Sequence, residues 1–327
     1  RDAQESRGLG DVYKRQYPQN PSISRKILCA GGIMTQLCSI CPRGCGVDRA
    51  GGQFGFCAVP DAPVVARAAP HFGEEPCISG TRGSGAVFFS GCNLRCVFCQ
   101  NRTISRGEHG KEITVAQLGD IFLRLRDEGV HNINLVTPSH YTRQIAEALS
   151  GLKLGIPVVW NSSGYECVET LRMLDGLVQV YLPDLKYALS GPAARYSAAA
   201  DYPQVARTAI LEMYRQTGPF RLDDDGMLQR GVLIRHLILP QQGENTRRVI
   251  DWVGETFAPG QVLFSLMSQY TPVGDLAQWP ELQHPISPEL NDEMYQYLIE
   301  SPIADGFYQD LDAATGDMIP AFDGTGV

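Results

Sequence analysis

The sequence predicts an α/β fold: a partial TIM-like (βα)6 barrel of parallel strands, preceded by a small Cys-rich N-terminal metal-binding segment. Three observations carry this expectation. From Pro70 onward, short runs rich in Val, Ile and Leu alternate with longer segments of helical period. The short runs are nearly continuous in apolar residues, as strands of a parallel sheet covered on both faces must be. Residues 29–80, by contrast, concentrate Cys, Gly and Pro and show no period.

The elements follow in order. Strands are expected at 86–90, 132–137, 156–161, 178–183, 231–239 and 261–267. Between the first two lies a helix with Val115, Leu118, Ile121, Phe122 and Leu125 at helical spacing. Thr114 stands at its N-cap with Gln117 placed for a capping box. Further helices are expected at 142–150, 167–174, 202–218, 245–257 and 288–300. Six strand–helix units fit a partly closed barrel better than a complete eight-stranded one, and an open doubly wound sheet is the alternative. Either architecture places its ligand site at the carboxyl ends of the strands.

Composition narrows the function classes. The chain has 327 residues, 43% hydrophobic and 20% charged. Its apolar runs fall far short of the roughly 20 residues that span a bilayer, so no membrane association is expected. A net charge of −8 counts against nucleic acid as a partner, because phosphate binding needs a basic face. Eight of the ten cysteines fall between Cys38 and Cys99, at spacings suited to metal ligation in a reducing compartment. The cytoplasm is the expected location. Residues 1–16 carry no apolar period and are set aside as a non-native or disordered tail. The remaining divisions are a Cys-rich segment at 17–80, the barrel at 81–300 and a C-terminal extension at 301–327.

The stretch FSGCNLRCVFCQNRTIS, residues 89–105, places Cys92, Cys96 and Cys99 directly after the first barrel strand. Thiolates are the usual ligands of iron–sulfur clusters, and three of them can hold three corners of a cubane. The fourth iron then keeps an open position. C-x3-C-x2-C with the aromatic Phe98 before the last cysteine resembles the radical S-adenosylmethionine (SAM) superfamily. The resemblance implies a [4Fe-4S] cluster whose open iron chelates SAM. Reductive cleavage of SAM then gives a 5′-deoxyadenosyl radical that abstracts hydrogen. A zinc knuckle or a redox C-x-x-C pair is the alternative reading of the same thiols.

Likeness extends from about Cys38 to Gln309. GCNLRCVFCQN and YLPDLKY are similar to segments of pyruvate formate-lyase activating enzyme, and CPRGCGV, EEPCISG, NINLVTP and RHLILP resemble its PflX-type relatives. By this resemblance Phe98, Asn134, Thr137, Ser139, Asn161, Ser163, Asp184, Lys186, Arg235 and Gln269 are the candidate cofactor-binding residues. Arg235 and His236 alternate along one strand, so one faces the lumen; Arg235 is the choice, with His236 a packed structural histidine. One departure stands out. Where many relatives carry Gly-Gly-Glu after the second strand, this chain reads VTPSHY, with no acidic residue to hand.

Cys38, Cys41, Cys45 and Cys57 form a second set of four thiols, as expected for a closed site holding structural zinc or an auxiliary cluster. Cys29 and Cys167 are expected as ordinary buried thiols. The implied activity is that of a glycyl-radical-enzyme activase, with that enzyme or another protein as partner and a flavodoxin- or ferredoxin-like reductant. Radical modification of another protein, a peptide or a small molecule is the enzymatic alternative. An electron-transfer iron–sulfur protein is the non-enzymatic one.

Overall fold

The computed structural model describes residues 37–309, 311 and 320–327; the tail at 1–16 and Cys29 lie outside the described residues. In chain order the strands are β1 (Val64–His71), β2 (Ser84–Phe89), β3 (Lys111–Glu112), β4 (Ile133–Val136), β5 (Val158–Ser162), β6 (Val180–Pro183), β7 (Arg221–Leu222), β8 (Leu228–Leu237), β9 (Leu263–Met267) and β10 (Gly306–Gln309). They form one sheet in the order β10-β9-β8-β6-β5-β4-β2-β1-β3, with β7 paired to β8. Every neighbouring pair from β2 to β10 along that path is parallel. All six expected strands are present.

Two additions extend the expected sheet. β1 pairs antiparallel with β2 and comes from the segment read as purely cysteine-rich. β10 adds a seventh parallel strand from the C-terminal extension. Neither is conspicuous in sequence. VVARAAPH interrupts its apolar run with Arg67 and Pro70, and GFYQ has only four residues.

The helices cover the outside of the sheet. Phe89, Leu118, Phe122, Trp160, Ile234 and Val249 belong to the core between sheet and helices, which is why these strands read as apolar on both faces. On the inner face Val159, Val180, Leu182, Leu233 and Leu263 pack around Cys77 and Ile78. Those two residues belong to the short helix Pro76–Ser79, which fills the inside of the barrel as a plug. The plug delivers the preceding Glu74 and Glu75 to the interior.

The capping box on the helix Val115–Asp127 forms as expected. Thr114 Oγ1 accepts from the Gln117 amide at 3.2 Å, and Gln117 Oε1 accepts from the Thr114 amide at 2.9 Å. Thr114→Ala should therefore cost about 1 kcal/mol of stability by urea denaturation, with the m-value unchanged. No loss would mean that the cap contributes nothing beyond propensity.

Candidate active site

Arg235 organises a polar ring above the apolar plug. Its Nη1 donates to Glu74 Oε2 at 2.8 Å, its Nη2 to Asn161 Oδ1 at 2.7 Å, and its Nε to Asp184 Oδ1 at 3.1 Å. Glu74 Oε1 accepts from Asn134 Nδ2 at 3.1 Å and from Asn161 Nδ2 at 2.9 Å. Lys186 Nζ donates to Asp184 Oδ2 at 2.6 Å. Burial alone would raise the Asp184 pKa, but the Lys186 ammonium and the Arg235 guanidinium outweigh it and hold the carboxyl below its ordinary range. Four strands and the plug thus meet in one hydrogen-bonded set, with Arg235 facing inward. His236 faces outward, between Leu185 O at 2.7 Å and Thr246 Oγ1 at 3.0 Å.

Several buried polar atoms in the barrel find no partner. Both carboxylate oxygens of Glu75 lack a hydrogen bond, as do Asn134 Oδ1, Ser163 Oγ, Ser265 Oγ, Ser268 Oγ and Gln269 Oε1. Glu75 is only 1% exposed, and the guanidinium nearest to it, that of Arg235, stands 3.9 Å away. Burial raises its pKa, which Arg235 only partly opposes; Ser265 stands close enough to help without a hydrogen bond of normal geometry.

The cysteine loop leaves the carboxyl end of β2. Gly91 opens it at φ 82°, and a Cβ there would lie 2.7 Å from Cys57 O, so only glycine fits. Arg95, inside the loop, also takes a positive φ of 56°. Cys92 and Cys96 are buried, and Cys99 is half-buried. Cys92 Sγ accepts from the Leu94 amide at 3.3 Å, and Cys96 Sγ from Ser197 Oγ at 3.0 Å. Burial pushes the Cys96 thiol up to about 12, while Lys186 pulls against it. The three thiols lie within electrostatic reach of one another. Burial disfavours the thiolates of Cys96 and Cys99, and a cluster held there would supply the positive charge that offsets it. Among the described residues, no group of three or more His, Cys, Asp or Glu side chains is arranged around a single ion. A cubane carries its thiolates on separate irons, so its demands differ from those of one ion, and the donor set fits it.

Of the other sequence candidates, Phe98 lies edge-on to Tyr196 and Tyr270, with ring centroids 6.5 and 6.2 Å away. Thr137 follows β4 at φ 57°, a strained conformation for a β-branched residue. Ser139 donates to Glu166 Oε1 at 2.7 Å. Sequence reasoning missed Glu166, and the corner is not without an acid. Its carboxylate also accepts from Trp160 Nε1 at 2.8 Å and Ser162 Oγ at 2.9 Å, while burial raises its pKa. Glu74 was missed as well. Only a charged pair standing directly before Pro76 hinted at it.

The second cysteine set is drawn together on one segment. Cys41 lies within electrostatic reach of Cys57, Cys38 and the half-buried Cys167, and Cys57 of Cys38 and Cys45. Cys45 Sγ accepts from the Phe56 amide at 3.3 Å. Cys167, expected as an ordinary buried thiol, is half-buried and joins this neighbourhood.

With this geometry in view, comparison with known proteins gives the class. Residues 86–183 match the family model of the Radical SAM superfamily, so the chain carries a radical SAM superfamily domain. That stretch contains the cysteine loop, β4, β5 and β6. The uncharacterized protein MJ0674 of Methanocaldococcus jannaschii is 29% identical over 289 residues, covering 85% of this chain and 79% of the relative. Two crystal structures of Streptococcus suis SuiB are also similar, one of them bound to precursor peptide SuiA. They match with TM-scores of 0.45 and 0.44 at 16% identity, over 70% and 69% of this chain. The chain spans about half the length of those structures, 49% in each case. The family implies a [4Fe-4S] cluster and SAM. No helix among the described residues is long and apolar enough to cross a membrane.

Two outcomes follow from the polar ring. Arg235→Met strands buried carboxylates without their guanidinium and should cost about 3–5 kcal/mol in chemical denaturation; a loss below about 1 kcal/mol would contradict the network. Glu75 carries the opposite sign. Its folded pKa is raised, so its charge destabilises as pH rises above the ordinary value of 4.5. The stability difference between Glu75→Gln and the wild type should shift toward the variant from about pH 4.5 upward. A difference that stays flat with pH would show that Glu75 is not perturbed.

Proposed function

We propose that the chain is a radical SAM enzyme whose Cys92, Cys96 and Cys99 hold a [4Fe-4S] cluster and whose polar ring receives SAM. The observation that carries this reading is the set of unpartnered buried atoms on Asn134, Ser163 and Gln269. Asn134 lies on β4, and Ser163 and Gln269 follow the carboxyl ends of β5 and β9, in the same sheet as β2, from which the cysteine loop springs. A buried polar atom without a partner costs about 1–3 kcal/mol, which a chain tolerates where a polar ligand will satisfy it. When bound, cluster and cofactor together supply a 5′-deoxyadenosyl radical for hydrogen abstraction.

The chain's own residues have separate tasks in this reading. Lys186 places positive charge near Cys96 and Cys99 and is itself fixed by Asp184. Arg235, held by Glu74 and Asp184, stiffens the wall against which the cofactor rests. Asn161 and Ser163 offer polar groups at the end of β5. Thr137 and Ser139 occupy the corner that Gly-Gly-Glu fills in relatives, backed by Glu166. Phe98 seals the loop between two tyrosines, which keeps water from the thiols.

The resemblance to activating enzymes favours a backbone glycine of a glycyl-radical enzyme as hydrogen donor. Glycine suits abstraction because it lacks a Cβ and its backbone can approach closely. Electrons would come from a flavodoxin- or ferredoxin-like reductant. Cys38, Cys41, Cys45 and Cys57 are proposed to hold zinc or an auxiliary cluster beside the loop; zinc would require these thiols to close further around one ion than they do in the structure.

The test is made on anaerobically reconstituted protein reduced with dithionite and given SAM. Chromatography should show 5′-deoxyadenosine from the wild type and none from Cys96→Ala. Equal product from both would dismiss the cysteine loop as its source. No product from wild type with a reduced cluster would dismiss the radical reading.

A further inference from the structure

Arg43 stands in the CPRGCG turn between Cys41 and Cys45, and it reaches out of that turn to three carbonyls. Its Nε donates to Asn93 O at 2.8 Å, inside the cysteine loop. Its Nη2 donates to Ser197 O at 3.0 Å and its Nη1 to Ala198 O at 2.6 Å. The guanidinium lies 3.9 Å from the Phe56 ring centroid and 5.3 Å from that of Tyr165. Asn93 in turn donates from Nδ2 to Tyr165 O at 2.7 Å and is 2% exposed. One side chain of the N-terminal segment thus grips the cluster loop and a helix end together.

That helix end matters because of what it carries. Ser190–Ser197 is an eight-residue helix, closed by Ala198 in the left-handed conformation at φ 49°. Its last carbonyls have no intrahelical partner, and a cation there is favoured by the helix dipole. Arg43 meets both needs, and so holds the left-handed closure that alanine adopts at a cost. Ser197, fixed in this way, directs its Oγ to Cys96 Sγ at 3.0 Å. Tyr187 lies 2.7 Å behind the same hydroxyl. Because Ser197 gives its proton to sulfur, Tyr187 donates to Ser197.

We propose that Arg43 is a positioning residue that ties the N-terminal cysteine segment to Cys96 through Ser197. Order in the 38–57 segment, whether it comes from packing or from a bound metal, is thereby transmitted to one particular sulfur of the cluster loop. A hydrogen bond to that sulfur stabilises the more negative, reduced state and raises the reduction potential of a cluster held there. The inference rests on the radical SAM reading for its meaning, but its geometry stands without any cluster.

The test has two readouts. In iron-free protein, the rate at which iodoacetamide labels Cys96 is followed by mass spectrometry. The thiolate is the nucleophile and the Ser197 hydrogen bond favours it, so Ser197→Ala and Arg43→Ala should each lower that rate about three- to tenfold, the size expected when one hydrogen bond is lost. The double variant should label no more slowly than the slower single variant, because both substitutions break one chain of contacts. Arg43→Lys, which keeps the charge but loses the fork, should fall between and serves where Arg43→Ala folds poorly. In reconstituted protein, an EPR-monitored titration should place the cluster potential lower in Arg43→Ala and in Ser197→Ala than in the wild type. Wild-type labelling in Arg43→Ala, or additive effects in the double variant, would overturn the proposal. If the labelling pattern holds while the wild type cleaves no SAM, the radical reading fails and the positioning role stands.

Discussion

A single guanidinium holds the inside of this barrel together. Arg235 binds Glu74, Asn161 and Asp184 at once, tying the plug to β5, β8 and the end of β6. Buried charges of this kind are tolerated only when each is paired and hydrogen-bonded. The arrangement explains why the plug helix packs where it does. Cys77 and Ile78 fill the apolar level, and the two glutamates before them arrive at the level of the arginine. Glu74 is absorbed by the ring. Glu75 reaches Arg235 only at 3.9 Å and makes no hydrogen bond, and its carboxylate marks the place where the interior is least satisfied by itself.

Above the ring, the cysteine loop is held from two directions. From within the barrel, Lys186 supplies positive charge toward Cys96 and Cys99. From outside, the 38–57 segment closes over the loop, with Gly91 against Cys57 and Arg43 on Asn93. The left-handed backbone at Arg95, Thr137 and Ala198 falls at these same junctions. Strain gathered around one loop is the usual companion of a site whose shape is set by function rather than by local preference.

Much of this was legible in sequence. The six strands and their helices follow from apolar runs and helical period, and the capping box at Thr114 from residue type and spacing alone. C-x3-C-x2-C after a strand pointed to the candidate site, because the spacing of thiols is itself the chemistry. What sequence could not supply were contacts between distant segments. Glu74 meets Arg235 across 161 positions, and Glu166 meets Ser139 only because two loops adjoin. Cys167 reads as isolated until β5 and its following turn bring it near Cys41. β1 and β10 were hidden for another reason. β10 is a short edge strand, which depends on a neighbour's backbone more than on its own side chains, and β1 breaks its apolar run with Arg67 and Pro70.

The central claim is that three cysteines leave one iron open for SAM. The most direct measurement is the EPR spectrum of the dithionite-reduced cluster, recorded with and without SAM labelled with 17O or 15N at its carboxylate and amino groups. The account predicts a changed signal on adding SAM and hyperfine coupling from the labelled atoms. A spectrum indifferent to SAM, from a fully reduced cluster, would contradict it.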